Sequence, residues 1–338
     1  MTLRVGMAGY GLAGRYFHAP LLKGCGLELV AVLTTNSDRV AHVHADFPEA
    51  VVVSNMKELL AHDLDLVIVA SVNSVHVEQA VAALHAGIPT VVDKPMGRNL
   101  TETLEILNAS DETGVPVTAF YNRLFDSDSL TIKRVLKENE IGKVFRIDSR
   151  FERFRPDLAA QSWREQSSAE EGGGLLLDLQ SHLVSTALDW FGPAELVSAS
   201  VRSIRGASDD DVVLVLKHES GVDSYLSASA IVGAPGPRIR MLGSNGALLI
   251  GELDPQEALL RAGKAPAQGK WEVSTKSEAR IIRGETVSEL QVEDGNYAQF
   301  YSLVAGAIAG RNDWPVSKSE IIAVATIIDR ARELNFRE

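Results

Sequence analysis

A chain of 338 residues is longer than one ordinary domain and reads as two, and an apolar content of 45% supplies ample core and excludes global disorder. Its net charge of -12 argues against nucleic acid or an anionic membrane as partner and favours a small-molecule substrate. The single cysteine, Cys25, cannot form an intrachain disulfide, no Cys/His cluster has zinc spacing, and no apolar run approaches the ~18 residues of a membrane span, so a soluble, metal-free, cytoplasmic protein is expected.

The β-branched, apolar run Leu3 to Ala8 reads as a buried parallel strand, and Gly9, Gly11 and Gly14, with Leu12 and Ala13 between them, form the G-x-G-x-x-G turn into a helix. The first glycine permits the tight turn, the second lets backbone N–H groups approach a pyrophosphate, and the third lets the helix pack closely on the strand. This is a dinucleotide site in its expected context, at the start of a βαβ unit whose second strand is Leu27 to Leu33. Ala13 to Leu22 is the predicted helix, broken around Gly24 and Gly26. Arg15 and His18 on its first turns suit contact with cofactor phosphate or substrate, and equally suit an exposed charge and a packing histidine.

An NAD site places Asp or Glu about 20 residues past the fingerprint, on the ribose hydroxyls. Here Thr34, Thr35, Asn36, Ser37, Asp38 and Arg39 follow the second strand, with no carboxylate at its tip. Hydroxyls, an amide and a guanidinium are what a 2'-phosphate needs, so NADP is the expected cofactor and NAD the lesser one. Asp38 is expected in the first turn of the next helix, along the dipole. The same residues also fit a plain capped helix, with Ser37 as N-cap and Arg39 solvated.

The alternation continues with a short strand from Val51, a helix from Asn55 to Ala61, a strand Leu64 to Ala70, a helix Val75 to Ala86, and a strand Pro89 to Asp93. Strands alternating with helices of about 10 to 15 residues imply a doubly wound parallel sheet, whose strand ends at Ala70-Ser71 and Asp93-Lys94 border the nucleotide crevice. The proline of Asp93-Lys94-Pro95 restrains Lys94 toward extended backbone, so that its amine leaves a strand end. Such an amine works near neutrality if desolvation and a cationic nicotinamide ring lower its pKa, although a lysine in a turn is ordinarily just solvated. A helix Thr101 to Thr113 and a strand Val115 to Phe120 complete the first domain, and the polar segment Leu124 to Ser129 reads as the crossing to the second.

Beyond a helix reaching Asn139, alternating strands follow one another at Lys143 to Arg155, Leu196 to Ile204, Val212 to His218, Ser224 to Val232, Arg238 to Leu242 and Ala247 to Ile250. Their succession without helices implies a large, mostly antiparallel open sheet. Glu257 to Glu285 reads as polar and irregular, and two helices, Tyr297 to Ala309 and Ser319 to Asn335, close the chain. Within this half, Gly172, Gly173 and Gly174 read as a flexible entry loop to a helix carrying Asp178 and His182 four residues apart on one face. A carboxylate beside an imidazole suits proton handling; the same pair also serves as a structural hydrogen bond, and no third residue completes a metal site.

In this order, G-x-G-x-x-G from Gly9, D-K-P from Asp93, N-R from Asn122 and G-G-G-x4-D-x3-H from Gly172 resemble the glucose-fructose oxidoreductase / inositol 2-dehydrogenase (Gfo/Idh/MocA) family over nearly the whole chain. The opening G-Y-G-L-A-G-R-Y-F-H-A-P is similar to its branch of NADP-dependent scyllo-inositol dehydrogenases. The resemblance implies an α/β protein with an N-terminal Rossmann domain, residues 1–122, and a C-terminal substrate-binding and oligomerisation domain with an open sheet, residues 123–338, assembled as homodimer or homotetramer. It implies that Lys94, Asp178 and His182 transfer the proton, and that Asn122, Arg123 and Trp163 lie near a sugar-binding cleft. Asp93 stands for the usual Glu, Gln180 for a common Gly and Ser185 for a common Asp. Ser71, Val72 and Asn73 replace Thr-Pro-Asn in the cofactor loop, where His76 braces the following helix.

The expected function is an oxidoreductase moving a hydride between NADP and a secondary alcohol of a sugar or inositol-like polyol, His182 acting as base and Lys94 stabilising the alkoxide. Two alternatives are a non-catalytic NADP-binding regulator, which leaves Lys94, Asp178 and His182 unexplained, and a lyase or glycosidase that oxidises its substrate transiently with a retained cofactor.

Overall fold

β1 (Arg4–Ala8) is buried from Val5 onward and lies at the centre of a six-stranded sheet. On one side it pairs with β2 (Glu28–Leu33), which pairs with β3 (Val51–Val53); on the other come β4 (Leu66–Val69), β5 (Thr90–Asp93) and β6 (Val117–Phe120). Every pair is parallel, and the order β3-β2-β1-β4-β5-β6 reverses between β1 and β4. β4, β5 and β6 are buried at every position, as helices on both faces require, which explains their unbroken apolar reading. In such a sheet ligands bind beyond the carboxyl ends at the reversal. The structure, a computed structural model, describes residues 2–158, 167–168, 171–206, 208–276 and 278–335.

Local chemistry sets the helix ends. The helix Leu100–Thr113 starts where the Asn99 side chain accepts the Glu102 N–H while Glu102 accepts the Arg98 N–H, and it stops at Gly114, which takes the left-handed turn. The first helix departs from expectation. Gly14–His18 winds as a π-helix before Ala19–Gly24 continues as α-helix.

The second sheet has eight strands: β7 (Val144–Glu152), β8 (Ala194–Arg202), β9 (Asp211–His218), β10 (Asp223–Ser229), β11 (Ile239–Gly243), β12 (Gly246–Ile250), β13 (Ala279–Arg283) and β14 (Thr286–Leu290). Their order is β14-β13-β12-β11-β7-β10-β9-β8, with β7 and β10 parallel and every other pair antiparallel. Its core joins Ile147, Met241, Leu248 and Ile281 from the strands to Ile132, Val135 and Trp190 from helices.

Two expectations are corrected. Residues 257–285 are not irregular: they hold most of the helix Gln256–Arg261 and all of β13. The signal was faint because only Ala279 and Ile281 of β13 are buried, and its partner β14 is a solvated edge strand. The polar stretch Leu124 to Ser129 does follow directly on the start of the second unit at Arg123, and all six of its residues are buried. Ser127 Oγ donates to Glu293 O at 2.6 Å, its N–H donates to Asp254, and Trp190 Nε1 donates to Ser129 Oγ at 3.0 Å. Finally, the chain is not cut once at residue 122. It forms two compact units, the first comprising Met1–Asn122, Gln256–Ser274 and Asn296–Ile322, the second Arg123–Pro255, Thr275–Gly295 and Ala323–Glu338. The returning segments are tied into the first unit by Gly269 N–H on Gly24 O, Cys25 Sγ on Ala298 O and Thr118 Oγ1 on Val316 O.

Among the described residues no helix is long and apolar enough to cross a membrane.

His218 of β9 gives the fold a pH dependence. Its Nδ1–H donates to Gly192 O at 2.8 Å and Ser224 Oγ lies 2.9 Å from Nε2, an arrangement suited to the neutral ring, and burial pushes its pKa below 6.5. The unfolded chain binds a proton that the folded ring refuses, so the contribution of His218 to stability is present above pH 6.5 and is lost as pH falls below it. Urea unfolding at about pH 7.5 and about pH 5.5 is expected to show a smaller loss on acidification for His218→Gln than for the wild type.

Candidate active site

The glycine turn after β1 is built by close backbone approach. Gly9 has φ +98°, and a Cβ there would meet Ala70 O at 2.6 Å and Ser71 Cα at 2.7 Å. A Cβ on Gly14 would collide with Gly9 O. Gly9 N–H donates to Leu33 O, and Arg15 N–H reaches back to Gly11 O, so Leu12 and Ala13 open the helical run at the sheet's reversal. This is a cradle that side chains would fill, and it fits a dinucleotide diphosphate.

Gly11 faces Arg39. The guanidinium carbon lies 3.7 Å from where a Gly11 Cβ would stand. Arg39 reaches this point because Asn36, not Ser37, caps the helix Ser37–Asp46: the Asn36 side chain accepts the Arg39 N–H at 3.1 Å. Thr35 to Arg39 are exposed, Thr34 is buried, and Asp38 lies in the first helical turn as expected. Arg15 instead pairs with Asp46 at 2.8 Å, on a carboxylate that also accepts from Tyr10.

At the neighbouring strand ends, Ser71 Oγ donates to Gln79, and Asn73 is buried in a short 3-10 turn. His76 is fully buried, with Nδ1 3.1 Å from Pro95 O and Nε2 3.3 Å from Ser71 O; it braces the loops after β4 and β5 against each other. Burial pushes its pKa down, against Asp93 and these carbonyls. Asp93 ends β5, and Oδ1 accepts the Lys94 N–H at 2.9 Å; the Lys94–Pro95 peptide is cis. Asn122, also buried, closes this unit's first segment.

In the second unit the triple glycine is packed, not flexible: all three residues are buried. Gly174 adopts φ +89°, ψ 162°, and a Cβ there would run into the Asp209 carboxylate. Asp209 Oδ2 accepts the Leu176 N–H at 2.7 Å and Asp209 O the Leu175 N–H at 3.0 Å, so Asp209 fastens the start of the helix Leu175–Asp178. Burial raises the Asp209 pKa, opposed by the Leu176 N–H and Arg332. Asp178 and His182 do not share one continuous helix. The chain breaks at Leu179 and resumes as Gln180–Phe191, where His182 N–H bonds to Leu179 O.

Gln180 pins that second helix by donating to Val212 O and Leu226 O, and Ser185 Oγ turns back onto His182 O. His182 is buried in a T-shaped contact with Phe151, with ring centroids 6.4 Å apart. Arg123 and Arg238 flank the same Phe151, their guanidinium carbons 5.4 and 4.2 Å from its centroid. Each is countered by a carboxylate, Arg123 by Asp126 and Arg238 by Asp128. Arg123 and His182 therefore converge on one ring. Trp163 lies outside the described residues.

Sequence reasoning missed Asp209, Phe151 and Arg238. Arg238 opens a predicted strand and belongs to no motif, yet it is buried and donates to Ser149 Oγ at 2.6 Å.

A reversed parallel sheet with this glycine cradle defines a Rossmann dinucleotide-binding protein. Residues 3–121 match the model of an oxidoreductase family with an NAD-binding Rossmann fold, and residues 129–249 match the GFO/IDH/MocA C-terminal domain. The chain belongs to the Gfo/Idh/MocA oxidoreductase family. It is 33% identical to the uncharacterized oxidoreductase YdgJ of Escherichia coli, over 97% of this chain and 95% of that one. It is 32% identical to the scyllo-inositol 2-dehydrogenase (NADP(+)) IolW of Bacillus subtilis, over 98% and 93% respectively. The solved structure of YvaA from Bacillus subtilis superposes with a TM-score of 0.89 at 32% identity, covering 99% of this chain and 97% of that one.

The φ/ψ pair at Gly174 is confined to glycine, so Gly174→Ala is expected to lower the free energy of unfolding by about 2 kcal/mol, read by urea denaturation.

Proposed function

We propose that this oxidoreductase prefers NADP(H) and interconverts a secondary alcohol and a ketone on a sugar or cyclic polyol of the inositol class. The observation that carries the cofactor half is the Arg39 guanidinium lying over Gly11, with no carboxylate at the tip of β2. A cation there attracts a 2'-phosphate and offers it a planar fork of donors. Lys94, leaving the end of β5 with its backbone held by Asp93, supports the substrate half. The relative IolW, whose name specifies NADP(+) and scyllo-inositol, supports both.

In this reading the unit built on residues 1–122 binds nucleotide and the unit that starts at Arg123 binds substrate. Gly9, Gly11, Leu12, Ala13 and Gly14 hold the diphosphate; Thr34, Thr35, Asn36, Ser37 and Arg39 hold the phosphorylated ribose; and Ser71, Asn73, His76, Asp93 and Asn122 line the crevice. The bound cofactor supplies the hydride acceptor, or the donor in reverse. His182 takes the proton from the substrate hydroxyl, and Lys94 Nζ hydrogen-bonds the same oxygen, stabilising the developing alkoxide and, in reverse, polarising the ketone. Asp178 orients His182 or grips a neighbouring hydroxyl, while Asn122, Arg123 and Trp163 bind the ring. Reduction of a keto-sugar or inosose is the direction that NADPH favours.

The working assembly in this reading is a cytoplasmic homodimer or homotetramer. The sheet face bearing Arg146, Asp148, Arg150, Glu152 and Tyr225 alternates in charge, as a surface complementary to its own copy does.

Arg39→Ala is expected to weaken NADPH binding about 10- to 100-fold and to leave NADH nearly unchanged, since one charge-assisted contact is lost. Fluorescence titration with both nucleotides checks this, and equal weakening refutes the preference. His182→Ala is expected to cut turnover of inositols or their ketones by ~100-fold or more in a nicotinamide absorbance assay; unchanged turnover removes His182 from the scheme.

A further inference from the structure

Beneath Lys94 lies a buried polar chain that the mechanism does not use. His18 is fully buried in the first unit, with Nδ1 2.5 Å from Tyr301 Oη and Nε2 3.7 Å from Asp93 Oδ1. Phe120 packs on the His18 ring at 4.3 Å between centroids, and Tyr301 is wedged against Phe120 and Phe300. Neither His18 nor Tyr301 is exposed, so neither meets substrate. Of the two roles open to His18 in the sequence, the structure takes the packing histidine.

Donor chemistry places the protons. Burial first, then the charge of Asp93 and the nearby Cys25, push the Tyr301 pKa well above its ordinary value, so its hydroxyl stays protonated and is placed to give its hydrogen to His18 Nδ1. That donation puts the ring's own proton on Nε2, aimed at Asp93. At 3.7 Å this is an electrostatic contact rather than a hydrogen bond. Burial opposes charge on Asp93, but His18, followed by Lys94 and His76, outweighs it and holds the carboxyl below its usual range. The same Oδ1 accepts the Lys94 N–H.

We propose that His18 and Tyr301 are positioning residues for Lys94: together they hold Asp93 as an oriented carboxylate at the end of β5, and Asp93 fixes the backbone from which the Lys94 amine reaches substrate. The proposal rests on the catalytic reading of Lys94. It assigns a role to a histidine and a tyrosine 283 positions apart in the chain.

Three variants of the full-length protein test it. Tyr301→Phe keeps the ring and removes only the hydroxyl. His18→Gln keeps an acceptor for Tyr301 and an N–H for Asp93, whereas His18→Leu keeps comparable bulk and removes both. Nitrogen-15 NMR of histidine-labelled protein is expected to show His18 as the Nε2–H tautomer, with the Nδ1 resonance moving in Tyr301→Phe. With an inosose and NADPH, His18→Leu is expected to lose about tenfold in kcat, less than the whole general-catalysis effect, with KM and NADPH affinity within about twofold of wild type. His18→Gln is expected to recover most of that rate.

An Nδ1–H tautomer, a His18→Leu enzyme with wild-type kcat, or a Gln variant no better than Leu overturns the proposal. If His18→Leu fails to fold, the tautomer and the kcat of Tyr301→Phe decide it. A wild-type protein that turns over no polyol or keto-sugar refutes the dehydrogenase reading instead, and the NMR result still decides whether the chain of contacts exists.

Discussion

The constraint on which the first unit depends is the contact of two strand ends through bare backbone. β1 and β4 lie side by side where the sheet reverses, and Gly9 sits so close to Ala70 and Ser71 that any side chain would part them. That approach places the glycine turn, and with it the start of the first helical run, at the crevice. Neighbouring strands then deliver chemistry to the same rim: β2 leads to Arg39, and β5 leads to Asp93 and Lys94. His76, with a ring nitrogen on each of two loop carbonyls, keeps the rim of β4 and β5 in register.

The second unit reaches precision by burying charge. Arg238 and Asp128 form an ion pair inside the protein at 3.2 Å, and Arg123 pairs with Asp126 nearby. Such pairs contribute little net stability after desolvation, but breaking one leaves an uncompensated charge, so they penalise every alternative packing. Their shared neighbour Phe151 also makes a T-shaped contact with His182, and Gln180 and Asp209 fasten the two helices that carry His182 and Asp178. The break at Leu179 lets Asp178 and His182 be oriented separately, which a single rigid helix would not permit.

The parallel sheet was legible because strands buried on both faces read as apolar runs, and the glycine turn because close approach admits no other residue. Helix starts were less legible: Asn36 and Ser37 are both good caps, and only the backbone shows which side chain accepts. The charged residues at 126, 128 and 238 went unremarked for one reason. A buried charge and a solvated one are the same letter, and the difference lies in a partner far along the chain. β14 escaped notice because an edge strand facing water carries no periodic apolar signal. His18 was ambiguous until Tyr301 appeared beside it.

The returning segments, residues 256–274 and 296–322, bear on the order of synthesis. The first helical run of this unit rests on Ala298 and Tyr301, which are synthesised well after it. Residues 1–122 are therefore made with that flank bare, and it is covered only after segments 256–274 and 296–322 have followed. A premature stop anywhere before residue 296 would release an apolar surface meant to be hidden, which makes truncated products natural clients for chaperones and proteases.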